Sequence, residues 1–168
     1  MAYTSHFKLA DDMILHLDTF IHGIADPFIS SRYVGFVAIA AVTVYELAIK
    51  EIFLEFSSQK HKVFANFTEM YFYRINGRIK TKTIQEDYLV RFGDKYVKRF
   101  KNKINKAEKE ILRRLGISIL SSYNNVIEWR NQFAHQGVVP SFVTYNEVNR
   151  SYQAGKEIIK CLADTMRR

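Results

Sequence analysis

Near the end of the chain stands the stretch EWRNQFAHQG, residues 128–137, in which Arg130, Asn131 and His135 are grouped closely enough to act together. The imidazole of a histidine titrates near neutrality and can take or return a proton. A guanidinium is permanently charged and offers a planar fork of donors to an anion. Arg130 and His135 are five residues apart, which on an ideal helix separates them by about 140°. Asn131 and His135, at i and i+4, share a face. Arg130 can meet His135 if the last turn loosens before Gly137, or if a second copy completes the site across a two-fold axis. The plainer alternative is that Arg130 pairs with Glu128 and that His135 simply suits the negative end of a helix.

Glu46 is a second candidate. It lies in a long apolar stretch between Val44 and Leu47, where a carboxylate is costly without a partner. It either serves Arg130 or His135 as a catalytic or supporting acid, or forms an ordinary i,i+4 pair with Lys50 on a half-exposed face.

The elements that must position these residues are helical. The 168 residues include 7 Gly and 2 Pro, too few breakers for many short strands joined by turns. With 48% apolar residues the chain can bury a substantial core, and one domain over residues 1–168 is expected. Leu9, Met13, Leu17, Phe20 and Ile24 recur at helical spacing, with Pro27 stopping a first helix near Asp26. A second helix is expected from about Ser30 to about Gln59, capped by Ser30 or Ser31. Residues 62–75 read as a shorter aromatic helix, Asn76-Gly77 as a turn, and Thr83 to Phe92 as a short helix stopped by Gly93. A helix from Asp94 to Gly116 should bury Tyr96, Phe100, Ile104, Ala107, Ile111 and Leu115. Ser118 to His135 forms the next helix, which Gly137 terminates. The last, Tyr145 to Met166, turns Val148, Tyr152, Ile158, Ile159 and Leu162 inward. The expected fold is all-α, an antiparallel bundle of four main helices with one or two shorter ones.

The formal charge of +8 is uneven. Residues 74–114 carry 14 Lys/Arg against five acids, a local +9, so the remainder is about −1. A basic segment on a near-neutral body points to a polyanion partner, although a solvated helix face has the same composition. The uncharged run from Tyr33 to Tyr45 has 13 residues, short of the roughly 18 needed to span a bilayer. The start MAYTSHFKLADDM has no signal-peptide pattern. The single Cys161 excludes an internal disulfide and suits a cytoplasmic protein. His6, His16, His22 and His61 are scattered without metal-ligand spacing, so neither a metal nor another cofactor is expected. Trp129 reads as a core or interface anchor.

The Arg-x4-His spacing, the asparagine after the arginine, the Ala-His-x-Gly ending and the late position resemble the signature of the HEPN superfamily. The glycine ending is most similar to its RiboL-PSP-like branch and to relatives in phage-defence and toxin operons. The resemblance implies a helical bundle acting as a dimeric, metal-independent endoribonuclease. Arg130, Asn131 and His135 would be its site, and an acid on the second helix, here Glu46, would support them. It also implies RNA as substrate and an antitoxin or defence-system protein as a possible partner. Superfamily toxins whose tyrosine two residues after the histidine is modified differ here, because that position is Gly137. The rival expectation is a non-catalytic helical module that binds nucleic acid or protein.

Overall fold

The structure, a computed structural model, describes residues 2–73, 75 and 77–167. Every regular element among them is helical. A 3₁₀ turn (Ala2–His6) leads into α1 (Phe7–Asp18), and a second 3₁₀ turn (Ile21–Gly23) follows it. Then come α2 (Pro27–Ser58) and α3 (Lys62–Phe72). The short α4 (Thr81–Thr83) continues through a π-helical turn (Ile84–Tyr88) and a 3₁₀ turn (Leu89–Phe92). α5 (Asp94–Leu115), α6 (Ile119–Gln136) and α7 (Tyr145–Met166) complete the bundle. None of these helices is long and apolar enough to cross a membrane.

The central helix is α2, which packs on α1, α3, α6 and α7. Its buried residues include Val34, Val37, Ala38, Ala41, Val44, Tyr45, Ala48, Ile49 and Phe53, spread around much of its circumference, as its first-half composition requires. α7 turns Val148, Tyr152, Ile158, Ile159 and Leu162 fully inward. On α5, Phe100 and Ile104 are buried and Tyr96, Ala107 and Ile111 partly so, while Leu115 is exposed.

Three local expectations are corrected. The buried stripe of α1 is Phe7, Ala10, Ile14 and Leu17, whereas Leu9 is exposed. Both sets have helical spacing, and only the tertiary partner decides between them: Phe7 sits edge-on to Tyr3 and to Tyr45. Pro27 does not merely end a first helix; it is the first residue of α2, with Asp26 as N-cap accepting from the Phe28 N–H at 2.8 Å. Proline at that position loses no helical hydrogen bond. The stop after α1 comes earlier, at Asp18, where the Thr19 hydroxyl donates back to the His16 carbonyl at 2.7 Å. The expected Asn76-Gly77 turn lies partly outside the described residues; Gly77 itself takes φ +77°.

α2, α6 and α7 meet at a cluster of tyrosines. The Tyr45 ring stacks on Tyr123 at 5.1 Å and lies 5.7 Å from Tyr152. Its hydroxyl donates to the Tyr152 carbonyl. Burial drives the Tyr45 and Tyr123 phenols well above their ordinary range, so both stay protonated donors. α7 passes this cluster at Gly155, where a Cβ would collide with the Tyr45 hydroxyl and touch the backbone of Tyr123. Gly155→Ala should therefore destabilise the fold. Overpacking of about 1–3 kcal/mol outweighs the gain of about 1 kcal/mol in helix propensity. Urea unfolding checks this: an unchanged or higher midpoint would show that the cluster has room to spare.

Candidate functional site

α6 carries the motif. Ser118 caps its start, its hydroxyl accepting from the Ser121 N–H at 3.1 Å, and Gly137 ends it in the left-handed conformation at φ +70°. The helix is regular to its end: the Gly137 N–H donates to the Phe133 carbonyl at 2.9 Å. The last turn does not loosen, so Arg130 and His135 stay on different sides of one helix. Arg130 and Asn131 are half-buried, and His135 is exposed. Trp129, one residue before the arginine, is in the core at 4% exposure, whereas Phe133 is only half-buried.

The Arg130 side faces α2 and the segment between α3 and α4. Its Nη1 donates to Asn131 Oδ1 at 3.1 Å. A Cβ on Gly77 would lie 3.0 Å from the same Nη1, so the chain at Gly77 runs directly against the guanidinium. Glu46 approaches from α2. Burial raises its carboxyl above the ordinary value, and the Gly77 backbone N–H, the Arg130 charge and Lys50 pull it back only in part. Its Oε1 is buried with no hydrogen-bond partner. Glu46 and Arg130 thus share one half-buried neighbourhood without a direct ion pair among the described residues. Glu128 pairs with Lys80 at 3.5 Å, not with Arg130. Lys50 likewise looks elsewhere, donating to the Tyr73 carbonyl at 3.3 Å.

The last turn of α6 has its own anchor. Here the end of α6 docks on the start of α2, with the Phe133 ring over Gly35, where a side chain would collide with it. Phe36 meets Phe133 edge-on at 5.6 Å, and the Arg32 guanidinium lies 4.6 Å from the Phe28 ring. Arg32 also donates to the Gly137 carbonyl, closing the C-terminus of α6. The surface around this docked end is aromatic and open: Phe28, Ile29, Phe36 and Val138 are all exposed, and His135 is exposed on the side of α6 away from Phe133. Arg32, Gly35 and Gly77 stand out in no motif, because their parts depend on contacts between segments far apart in the chain. Only the glycines left a signal, one inside a helix and one in the marked turn. Of the remaining histidines, His61 caps α3 by accepting from the Val63 N–H at 3.2 Å, and His6 lies 3.8 Å from Glu51.

A helical bundle whose late helix ends in this arginine, asparagine, histidine and glycine pattern is a HEPN-type domain. Residues 6–167 match the RiboL-PSP-HEPN family, and the chain belongs to it. That family assignment makes it an RNA-associated domain of nuclease type. No curated protein and no solved structure matches the chain.

The Glu46 environment has a measurable sign. A carboxyl raised in the folded state holds its proton to higher pH than it does in the unfolded chain. Its burial cost is absent below the unfolded value of about 4.3 and complete once pH has risen through the folded value. Glu46→Gln should therefore raise Tm at pH 7, with the gain shrinking as the pH falls to 4. Thermal melts of both proteins across that range check it; a gain independent of pH would mean that the carboxylate carries no such cost.

Proposed function

We propose that the chain is a metal-independent endoribonuclease of the toxin or defence type, acting in the cytoplasm as a single-domain homodimer whose subunits share the active site. One observation carries the reading. α6 stays helical through Gln136, so Arg130 and His135 face apart, while His135 is exposed and the start of α2, on which the end of α6 docks, leaves Phe28, Ile29 and Phe36 exposed for a second copy to cover. A two-fold axis there brings the Arg130 of one subunit toward the His135 of the other.

The chemistry asks little else of the protein. RNA supplies its own nucleophile, the 2′-hydroxyl, so the reading needs no cofactor. His135 removes the hydroxyl proton as the oxygen bonds to the adjacent phosphorus. The P–O5′ bond breaks and the leaving oxygen gains a proton from the other His135 or from water, leaving a 2′,3′-cyclic phosphate and a 5′-hydroxyl. Arg130, whose fork is oriented by Asn131, meets the charge that builds on the non-bridging oxygens. Glu46 lends a nearby negative charge to the guanidinium and helps to fix Gly77 against it. Strand binding falls to α5. Lys98, Lys101, Lys106, Lys109, Arg113 and Arg114 are exposed and have no ion-pair partner among the described residues. Release of counterions by such a row makes binding steeply salt-dependent. An antitoxin or defence-system protein that covers the same cleft would silence the enzyme.

The unpaired cations of α5 also favour the rival module, which binds RNA and does not cut it. The purified protein with RNA in EDTA separates the two. Cleavage is expected, with Arg130→Ala and His135→Ala each reducing it by roughly 10²–10⁴-fold while salt-sensitive RNA binding persists. Binding without scission, or scission indifferent to both substitutions, ends the nuclease reading. Subunit sharing is tested separately by mixing the two inactive variants under conditions of subunit exchange. In a site built from one Arg130 and its partner's His135, about a quarter of the sites regain both groups. No recovery from an exchanging dimer counts against the shared site.

A further inference from the structure

We infer that α3 is a self-association surface, on which a second copy of the chain packs antiparallel about a two-fold axis beside Asn66 and Phe67. The inference does not rest on the nuclease reading. The contact proposed there uses the start of α2, whereas α3 packs on the second half of that helix, where Phe72 stacks on Phe53 at 4.5 Å. Phe36 and Phe53 lie about 26 Å apart along α2. The inner face of α3 buries Thr68 and Phe72. Roughly opposite them, Val63, Phe67 and Met70 follow the i, i+4, i+7 spacing of one helix face, and they are 68%, 64% and 77% exposed. Tyr73 extends the stripe at 69%. A surface helix with one partner is polar on its outer side. This outer side is apolar, the mark of an interaction surface.

The polar residues beside the stripe say what covers it. Lys62 and Glu69 are two helical turns apart and so stand on one flank. Both are exposed, and neither has an ion-pair partner among the described residues. Asn66, also exposed, lies between them on the same side. A two-fold axis perpendicular to both helices reverses the partner's direction and keeps each flank on its own side. Centred between Asn66 and Phe67, it sets Met70 against the partner's Val63 and Phe67 against the partner's Phe67. Lys62 then stands beside the partner's Glu69, twice over. The Asn66 amide meets the partner's Asn66, and an amide both donates and accepts. The flank is therefore complementary to itself read backwards.

Other occupants fit less well. A parallel pair would set Lys62 beside the partner's Lys62 and Glu69 beside the partner's Glu69, a repulsion at both ends. A polyanion gains little from a flank whose two charges cancel. On the other flank Arg91 is already engaged, lying 4.7 Å from the Tyr71 ring and donating to the Asp87 carbonyl at 2.9 Å. The four stripe residues offer on the order of 500 Å² per copy, so a pair buries about 1,000 Å², the lower bound of a specific interface. Association through α3 is accordingly concentration-dependent, and it adds to any contact made at the start of α2.

Sedimentation equilibrium of the full chain over a concentration series tests the interface. The wild type is expected to exceed the mass of one chain, and Phe67→Glu with Met70→Glu should halve the assembly. Both positions are exposed, so the variant should fold, which circular dichroism checks. Lys62→Glu and Glu69→Lys each oppose like charges at two places and should weaken association about tenfold at low salt. Lys62→Glu with Glu69→Lys in one chain should restore it, a rescue that a foreign partner would not give. Under oxidant, Asn66→Cys should yield a disulfide-linked pair. Lys62→Cys should not, because its two copies lie roughly 13 Å apart along the helices. A single-chain mass at every concentration leaves the face to another protein or to RNA and overturns the inference. So does a mass unmoved by Phe67→Glu with Met70→Glu, or a charge exchange that fails to rescue what the single variants weaken.

Discussion

The motif side of α6 depends on how an irregular stretch of backbone is satisfied. Between α3 and α4 the described residues Tyr73, Ile75 and 77–80 lie outside any helix, and their peptide groups must find partners other than a helical ladder. They find them in side chains that reach across from other helices. The Tyr123 hydroxyl donates to the Ile79 carbonyl at 2.8 Å, and the Tyr88 hydroxyl to the Arg78 carbonyl at 2.6 Å. Lys50 takes the Tyr73 carbonyl. The Gly77 N–H acts on Glu46 from the same side. These phenols are dependable donors because burial keeps them protonated, Tyr88 being pushed up to about 12. Since Gly77 then lies against the Arg130 guanidinium, the position of the arginine is fixed by hydrogen bonds that the motif itself does not make.

The same segment divides the positive charge into two populations. Arg78, Lys80 and Lys82 belong to the basic stretch by sequence, yet each has a carboxylate partner in Asp87, Glu128 and Glu86. All three pairs are largely exposed and are worth little as stabilisation. Their effect is to neutralise the local field near the motif. The lysines and arginines along α5 have no such partners among the described residues and keep their field. A charge sum over residues 74–114 therefore overstates the potential near Arg130 and describes α5 better.

Much of the fold was legible in the sequence because it rests on local signals. α7 begins and ends where its periodicity does, and Gly137 and Gly116 end their helices in the left-handed conformation that glycine favours. What could not be read depends on partners distant in sequence. The α1 stripe had two registers of equal merit. Ser30 and Ser31 looked like caps, but Asp26 followed by proline prevailed. Glu46 was weighed against Lys50 as a helical neighbour. In the fold, Lys50 turns to Tyr73 and Glu46 to Gly77, contacts that span 23 and 31 positions and leave no periodic trace.

The end of α6 bears on how fixed the separation of Arg130 and His135 is. A final helical turn usually frays, because its carbonyls lack intrahelical donors. Here that turn is held by three residues of α2. Arg32 takes the Gly137 carbonyl, Gly35 lets the Phe133 ring sit against the α2 backbone, and Phe36 meets the same ring edge-on. Loosening the turn enough to swing His135 toward Arg130 would undo those contacts while leaving Gly77 and Glu46 in place against Arg130. Two anchors, at Arg130 and at Phe133, therefore oppose convergence within a chain. Joining two rigid chains across the open aromatic surface disturbs neither anchor, and this asymmetry in cost makes a partner subunit the easier way to complete the site.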